Sequence, residues 1–242
     1  MAERPEEGAD MEFLVRPRTG LSRHFLERAE HALIGLGPWN IHDTPAVAEA
    51  LVEWACVNFT AVDVVVPGYE AAHVLVAAGC PPRAAVIRAQ RATSRLRNPA
   101  QRALRRTGVH DPRLHFHSWT QLLNRPAYTR TLARARLAYR TDEAVRRACR
   151  LAAREAVLGA AGLEPSAQQI DQTVGYAIAA LPFLLESPAI FQTASSLFVH
   201  DQDTDLLAPF VNGRAGGLRP GPGQGYALVK PTSYDSALAH PL

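Results

Sequence analysis

The sequence predicts an α/β fold, a single domain built on a mostly parallel sheet with helices on both faces. Two observations carry the class. The apolar run "HALIGL" (31–36) and the β-branched run "AVDVVVPG" (61–68) have the length and composition of buried strands. A helical stretch separates them, and strand–helix–strand in this rhythm gives a parallel pair with a crossover. The third observation is the 47% apolar content of the 242 residues, which supports one sizeable core.

The elements follow in order. Residues 1–20 read as a flexible leader: "MAERPEEGADMEF" is acidic and polar, unlike a secretory signal. After strand 31–36, Thr44 can cap a helix that has Pro45 in its first turn. In that helix Val47, Leu51, Trp54 and Ala55 make the inward face. "EAAHVLVAAG" is a short helix closed by Gly79 after the second strand. Two long helical stretches flank a short strand at 114–119, the second covering 120–160. A helix capped near Ser166 runs to about Leu181, where Pro182 and then Pro188 break or redirect the chain. "SSLFVH" (195–200) is a strand, 212–225 a loop, and "YALVKP" (226–231) a last edge strand. The domain is thus expected over 21–232, with a flexible tail at 233–242. No apolar run approaches the roughly 18 residues of a membrane span, so a cytoplasmic protein is expected. Cys56, Cys80 and Cys149 are widely spaced and form no metal-binding pair.

Charge is distributed unevenly. Lys230 is the only lysine, and Arg83, Arg88, Arg91, Arg95, Arg97, Arg102, Arg105 and Arg106 follow one another with no acid between them. Several recur at helical spacing, with Asn98–Pro99 able to restart the helix. A solvated helix usually interleaves acids, so an uninterrupted arginine stripe points to an external polyanion bound through its phosphates. A second arginine series at 130–154 is diluted by Asp142, Glu143 and Glu155 and reads as ordinary surface.

The turn after the first strand run contains Gly35-x-Gly37, a fragment of a dinucleotide fingerprint. Asn40 stands where its third glycine belongs, and Pro38 removes an N–H that would face a pyrophosphate, so nicotinamide chemistry is disfavoured. Asp201, Asp203 and Asp205 have calcium-loop spacing, but the glycine and distal glutamate of such a loop are missing, and no metal is expected.

Taken together, "HALIGLGPWN", "VEWACVNFTAVDVVV", "AAGCPPRAA" leading into the basic helix, "YAIAALPFLLESPAIF", "SSLFVH" and "GQGYALVKP" resemble the cyclodipeptide synthases. That family makes diketopiperazines from two aminoacyl-tRNAs. The resemblance implies a Rossmann-like domain similar to the catalytic domain of tyrosyl- and tryptophanyl-tRNA synthetases. It also implies that the basic helix contacts tRNA, and that no cofactor is needed. It places Tyr176 on the family's catalytic tyrosine, Asn40 on its turn asparagine and His200 on the histidine of its Tyr-His pair. It places Gly37 on the nucleophilic serine, Ala180 on the glutamate that holds the substrate amine, and Val199 on a second tyrosine.

These readings converge on one site at the strand ends. Tyr176, His200, Asn40 and His42 are the candidate catalytic residues, His42 as an acid–base group oriented by Asp43. Gly35, Gly37, Val65, Ala180 and Val199 are the candidate pocket. Gly37 cannot carry an acyl group. The expected activity is therefore aminoacyl transfer from aminoacyl-tRNA to an amine, such as a small molecule, in natural-product biosynthesis and without a serine ester. A silent aminoacyl-tRNA binder and a diketopiperazine maker with another nucleophile remain as alternatives, with a Cys56 or Cys80 thiol considered for that role.

Overall fold

The computed structural model describes residues 11–40, 43–201 and 204–232. Its elements in chain order are β1 (Phe13–Pro17), α1 (Gly20–Arg28), β2 (His31–Gly35), α2 (Pro45–Asn58), β3 (Ala61–Val66), α3 (Glu70–Ala77), α4 (Pro82–Arg106), β4 (Phe116–Ser118), α5 (Trp119–Leu122), α6 (Pro126–Thr141), α7 (Glu143–Ala161), α8 (Ala167–Phe191), β5 (Ser196–His200), α9 (Ala208–Val211) and β6 (Gln224–Pro231). The six strands form one sheet in the order β1-β6-β5-β2-β3-β4. Every pair is parallel except β1 with β6. One face packs on α1, α2 and α4 through Phe25, Leu51, Val64, Leu104 and Val199. The other packs on α6, α7 and α8 through Leu33, Val65, Tyr128, Cys149 and Leu181. The α/β class and the helices on both faces are as the sequence predicts.

Two edge expectations are corrected. Residues 13–17 are a strand rather than leader: Phe13 to Pro17 pair in register with Pro231 to Ala227. As a result β6 is an interior strand and β1 is the edge. The N-terminal strand escapes notice because its residues are only partly buried and interrupted by Arg16, as suits an edge.

Side chains link four strands beneath the sheet. The His31 Nδ1 of β2 is 2.8 Å from Ser196 Oγ of β5, and its Nε2 donates to Asp63 Oδ2 of β3 at 3.1 Å. Asp63 Oδ1 accepts from His117 Nε2 of β4 at 2.8 Å. Burial would raise the Asp63 carboxyl, but the hydrogen bonds from His117 and His31 outweigh it and hold the group well below the usual carboxylate range. The Phe191 ring closes over both imidazoles, at centroid distances of 5.5 Å and 5.4 Å.

Helix α2 forms as expected, with Thr44 Oγ1 accepting the Val47 N–H at 3.2 Å and Pro45 leading the first turn. Val47, Leu51 and Ala55 are buried and Trp54 only partly. Helix α4 does not restart at Asn98; it continues through Pro99 to Arg106.

Helix α8 likewise passes Pro182 and ends at Phe191, with its one non-helical residue at Glu186. Pro188 lacks the N–H that would bond the Leu184 carbonyl, and the Tyr226 hydroxyl donates to it instead at 2.5 Å. The Ser187 N–H, turned out of the helix, donates to Gln224 Oε1 at 2.8 Å, and its hydroxyl donates to the Phe183 carbonyl. The Phe183 and Leu184 carbonyls and the Ser187 N–H at the break are thus paired. By length and composition α8 could cross a membrane, contrary to the reading of the sequence, but 67% of its most apolar window is buried inside the protein.

Replacing Tyr226 with Phe removes the donor to a buried carbonyl while keeping the ring. The expected loss is about 1–3 kcal/mol of unfolding free energy, measured by urea denaturation with an unchanged m-value.

Candidate active site

The chain runs from β2 through β3 to β4 on one side of the sheet, and returns to place β5 on the other side of β2. A crevice therefore opens at the C-terminal ends of β2 and β5, the position where open α/β sheets bind ligands. The turn after β2 forms one lip. Within it Asn40 N–H donates to the Gly37 carbonyl at 3.0 Å, and Asp43 N–H to the Asn40 carbonyl at 3.2 Å. The Asp43 carboxylate turns back to accept the Gly37 N–H at 2.5 Å. Asn40 Nδ2 then spans the crevice to Asp201, at 3.1 Å and 3.4 Å from its two oxygens, just past β5.

A cavity of about 570 Å³ opens beside this turn, with Gly37, Asn40, Tyr176 and Ala180 in its wall and Glu155, Gly159 and Thr204 opposite. Helix α7 comes close because Gly159 has no side chain; a Cβ there would collide with the Trp39 carbonyl. Trp39 in turn donates its Nε1–H to the Ala71 carbonyl of α3 at 3.2 Å. Tyr176 packs its ring on Trp119 at 5.1 Å. A Cβ built on Gly37 would lie 3.6 Å from Asp43 Oδ2 and 3.9 Å from the Tyr176 hydroxyl. The phenol and the carboxylate thus converge on the one residue of the turn that carries no side chain.

The electrostatics follow from burial. Asp43 is raised well above the ordinary carboxylate range, first by desolvation and then by the neighbouring Asp201 charge; the Gly37 N–H and Asn40 amide offset part of this. Tyr176 is pushed up by burial, with the Asp43 and Glu70 charges behind it. Its phenol therefore stays neutral and serves as a hydrogen-bond donor. Glu155 is raised by burial and by Asp205.

The predicted residues divide as follows. Gly37, Asn40, Tyr176 and Ala180 meet at the cavity. Gly35 and Val65 pair across β2 and β3 beneath it on the same face, where a Cβ on Gly35 would stand 2.7 Å from Phe198 Cζ. His200 is buried at the end of β5, stacked near Phe198 at 6.3 Å. Val199 is corrected: strand alternation points it into the opposite core, among Ile34, Val64 and Ala48, and away from the cavity. His42 lies outside the described residues, as does Asp203. Asp43 is the residue that sequence reasoning undervalued, as no more than a partner for His42. Its signal was a carboxylate six residues beyond the turn glycine, Gly37. A thiol nucleophile finds no support, since no cysteine lines the cavity and burial raises Cys56 and pushes Cys149 up to about 12.

All eight arginines of α4 are exposed. The unbroken stripe is corrected in one respect: Arg102 and Arg106 pair with Glu49 of α2 at 2.8 Å and 2.5 Å, and Arg106 also with Glu53 at 2.5 Å. Among the described residues Arg83, Arg91, Arg95 and Arg105 have no acidic partner. In the second series Arg134, Arg147, Arg150 and Arg154 all pair with acids, as an ordinary surface does.

Comparison with known proteins matches residues 13–231 to the family described as cyclodipeptide synthase. The chain belongs to the cyclodipeptide synthase family. It is 30% identical to cyclo(L-leucyl-L-phenylalanyl) synthase of Streptomyces noursei, over 87% of this chain and 88% of that protein. The fold superposes on a cyclodipeptide synthase from Bacillus thermoamylovorans with a TM-score of 0.84, at 23% identity, covering 90% of this chain and 96% of the other. A Mycobacterium tuberculosis protein whose structure relates cyclodipeptide synthetases to type I tRNA synthetases gives 0.76 at 28% identity, covering 96% and 99%. Cyclodipeptide synthases form amide bonds between aminoacyl groups drawn from aminoacyl-tRNA, and membership brings that substrate class with it.

The raised Asp43 carboxyl sets a pH dependence. Because the folded state holds this proton more tightly than the unfolded chain, its share of stability is complete below about pH 4 and declines as pH rises through the folded value. Asp43→Asn keeps an acceptor for the Gly37 N–H and removes the titration. The variant is expected to lose less stability than the wild type between pH 4 and 8, measured by denaturant unfolding at each pH.

Proposed function

We propose that this protein transfers an aminoacyl group directly from tRNA to an amine held in the same cavity, in natural-product biosynthesis, with no ester on the turn after β2. The observation that supports this is the convergence of Tyr176 and Asp43 on Gly37, the position that the resemblance aligns with the family's serine. Contacts of 3.6–3.9 Å around a Cβ at that point are ordinary van der Waals distances. A side chain would fit there, and its absence leaves space for the acyl carbonyl or the incoming amine.

The aminoacyl ester is already activated, so no covalent intermediate is needed to drive the reaction. The amine nitrogen attacks the ester carbonyl, the bond to the ribose oxygen breaks, and the amide forms. Tyr176 donates a hydrogen bond to the oxygen that gains charge. Asp43, as carboxylate, takes the proton the amine loses and passes that same proton to the departing ribose oxygen, which leaves as the hydroxyl. Holding both partners in one cavity supplies up to about 7–11 kcal/mol through proximity and orientation. Among the described residues of the cavity wall, the hydroxyls that a different nucleophile could use are those of Thr204 and of Tyr176, whose phenol burial keeps neutral.

The tRNA body is held by α4. Arg91 and Arg95, exposed and without acidic partners among the described residues, are the phosphate contacts, with Arg88 one turn earlier. Arg102 and Arg106 are shared with α2.

Charged tRNA, the protein and candidate amines are incubated and products read by mass. A new amide with deacylated tRNA is the expected result; a protected, unreacted ester would mean a silent binder, and a cyclic dipeptide would mean a second aminoacyl-tRNA is the acceptor. Gly37→Ser is expected to gain a mass increment of one aminoacyl group that the wild type never shows, and its failure to do so would remove the ester from this turn. Arg91→Glu with Arg95→Glu is expected to weaken tRNA binding and lower the slope of log affinity against log salt by about two.

A further inference from the structure

The cavity beside the Gly37 turn has a second carboxylate, which the transfer chemistry does not use. Glu155 of α7 stands in its wall, with Tyr176, Ala177 and Ala180 of α8 on another side. The helix fixes where Glu155 lies relative to the turn. Gly159 is seated against the turn so closely that a Cβ on it would collide with the Trp39 carbonyl. Glu155 precedes Gly159 by four residues, on the same face of α7 and one turn, about 5.4 Å, along it. It also borders a smaller cavity of about 270 Å³, lined by Arg18, Asp205 and Asn212, with Thr204 shared between the two.

Other acids on and around α7 are paired: Glu143 with Arg147, Glu164 with Arg154, and Asp171 with Arg150. Among the described residues Glu155 has neither an ion pair nor a hydrogen bond. The charges acting on it are Asp205, which opposes it, and Arg154, which Glu164 holds at 2.5 Å. Arg18, across the smaller cavity, is not among them. Glu155 reaches open cavity space, yet partial desolvation raises its carboxyl above the ordinary range, and Asp205 adds to this. A cation in the cavity would offset both effects.

The cavity thus meets a carboxylate on two sides, Asp43 behind the Gly37 turn and Glu155 on α7. The rest of its wall is largely apolar, with Ala152, Ala156, Ala177, Ala180 and Leu206. A molecule that matches this arrangement has a nitrogen at each end of a short aliphatic chain. One nitrogen gives up its proton at Asp43 and attacks the ester. The other keeps its charge, because a carboxylate beside it favours the protonated form. We propose that Glu155 selects an acceptor amine that carries a second, cationic nitrogen at the far end of a short aliphatic chain. The proposal rests on the acyl-transfer reading above and adds to it which amines the site takes. A free diamine has this chemistry, and so does a lysyl or arginyl group on a second tRNA.

Calorimetric titration of the full chain with putrescine and with butylamine tests this without any reaction. The two share a carbon chain and differ in the second nitrogen. The wild type is expected to bind putrescine at least fivefold more tightly. Glu155→Gln is expected to erase the difference, and Glu155→Asp to keep part of it. Glu155→Lys is expected to prefer γ-aminobutyrate to putrescine, a gained preference that no unfolded variant could show. With charged tRNA added, a putrescine amide identifies a free diamine as the acceptor. A dipeptide product from lysyl- or arginyl-tRNA, with none from putrescine, identifies a basic aminoacyl group. Equal binding of putrescine and butylamine by the wild type, or a preference that survives Glu155→Gln, would overturn the assignment. Failure of the acyl-transfer reading would look different: putrescine bound through Glu155, with no amide from charged tRNA.

Discussion

The chain of side-chain hydrogen bonds from Ser196 through His31 and Asp63 to His117 is the constraint on which the rest of the structure depends. It runs across four parallel strands and is sealed by Phe191 at the end of α8. A parallel ladder between apolar strands resists slipping only weakly by itself, because neighbouring apolar residues are interchangeable. A buried carboxylate that must face two imidazoles is not interchangeable with a valine. The clamp therefore sets where each strand ends. Those ends decide which residues surround the crevice between β2 and β5.

Helix α8 connects the clamp to the site. Its Tyr176 reaches the turn after β2, and its C-terminal end covers the histidines. Between them the helix bends at Glu186, and the bend is held by groups from β6, the Tyr226 hydroxyl and the Gln224 amide. A helix that broke at Pro182 would stop short of the clamp. The apolar face of α8 makes it the central helix of one half of the core, which is why it has the composition of a membrane span and yet is mostly buried.

The site differs from an acyl-enzyme site in where its polar groups lie. The turn after β2 carries no hydroxyl, and its carboxylate comes from the start of the following helix. Asp43 and Asp201 lie close in a poorly hydrated place, with Asn40 between them, so their charges oppose one another and a proton is retained more readily. The neutral phenol beside them donates. In the proposed direct transfer the phenol donates, the carboxylate takes the proton, and the space at Gly37 is left to the substrate.

Much of this was legible in the sequence. The run of Leu, Ile and Val at 31–36 and 61–66, the Thr44–Pro45 start of α2 and the arginines of α4 depend on local propensity and periodicity, which a single chain displays. The resemblance placed Gly37, Asn40, Tyr176 and Ala180 on one cavity wall. What the sequence alone could not decide was pairing between distant residues. The edge strand at 13–17 is recognisable only once β6 lies beside it. Arg102 and Arg106 read as free cations until α2 brings Glu49 and Glu53 across. Val199 and His200 are neighbours in sequence, but the strand sends them to opposite faces. Asp63 stands among valines in the sequence, and only the adjoining strands show it accepting from two histidines. Each of these depends on contacts between residues tens of positions apart, and such contacts exist only when the sheet has closed.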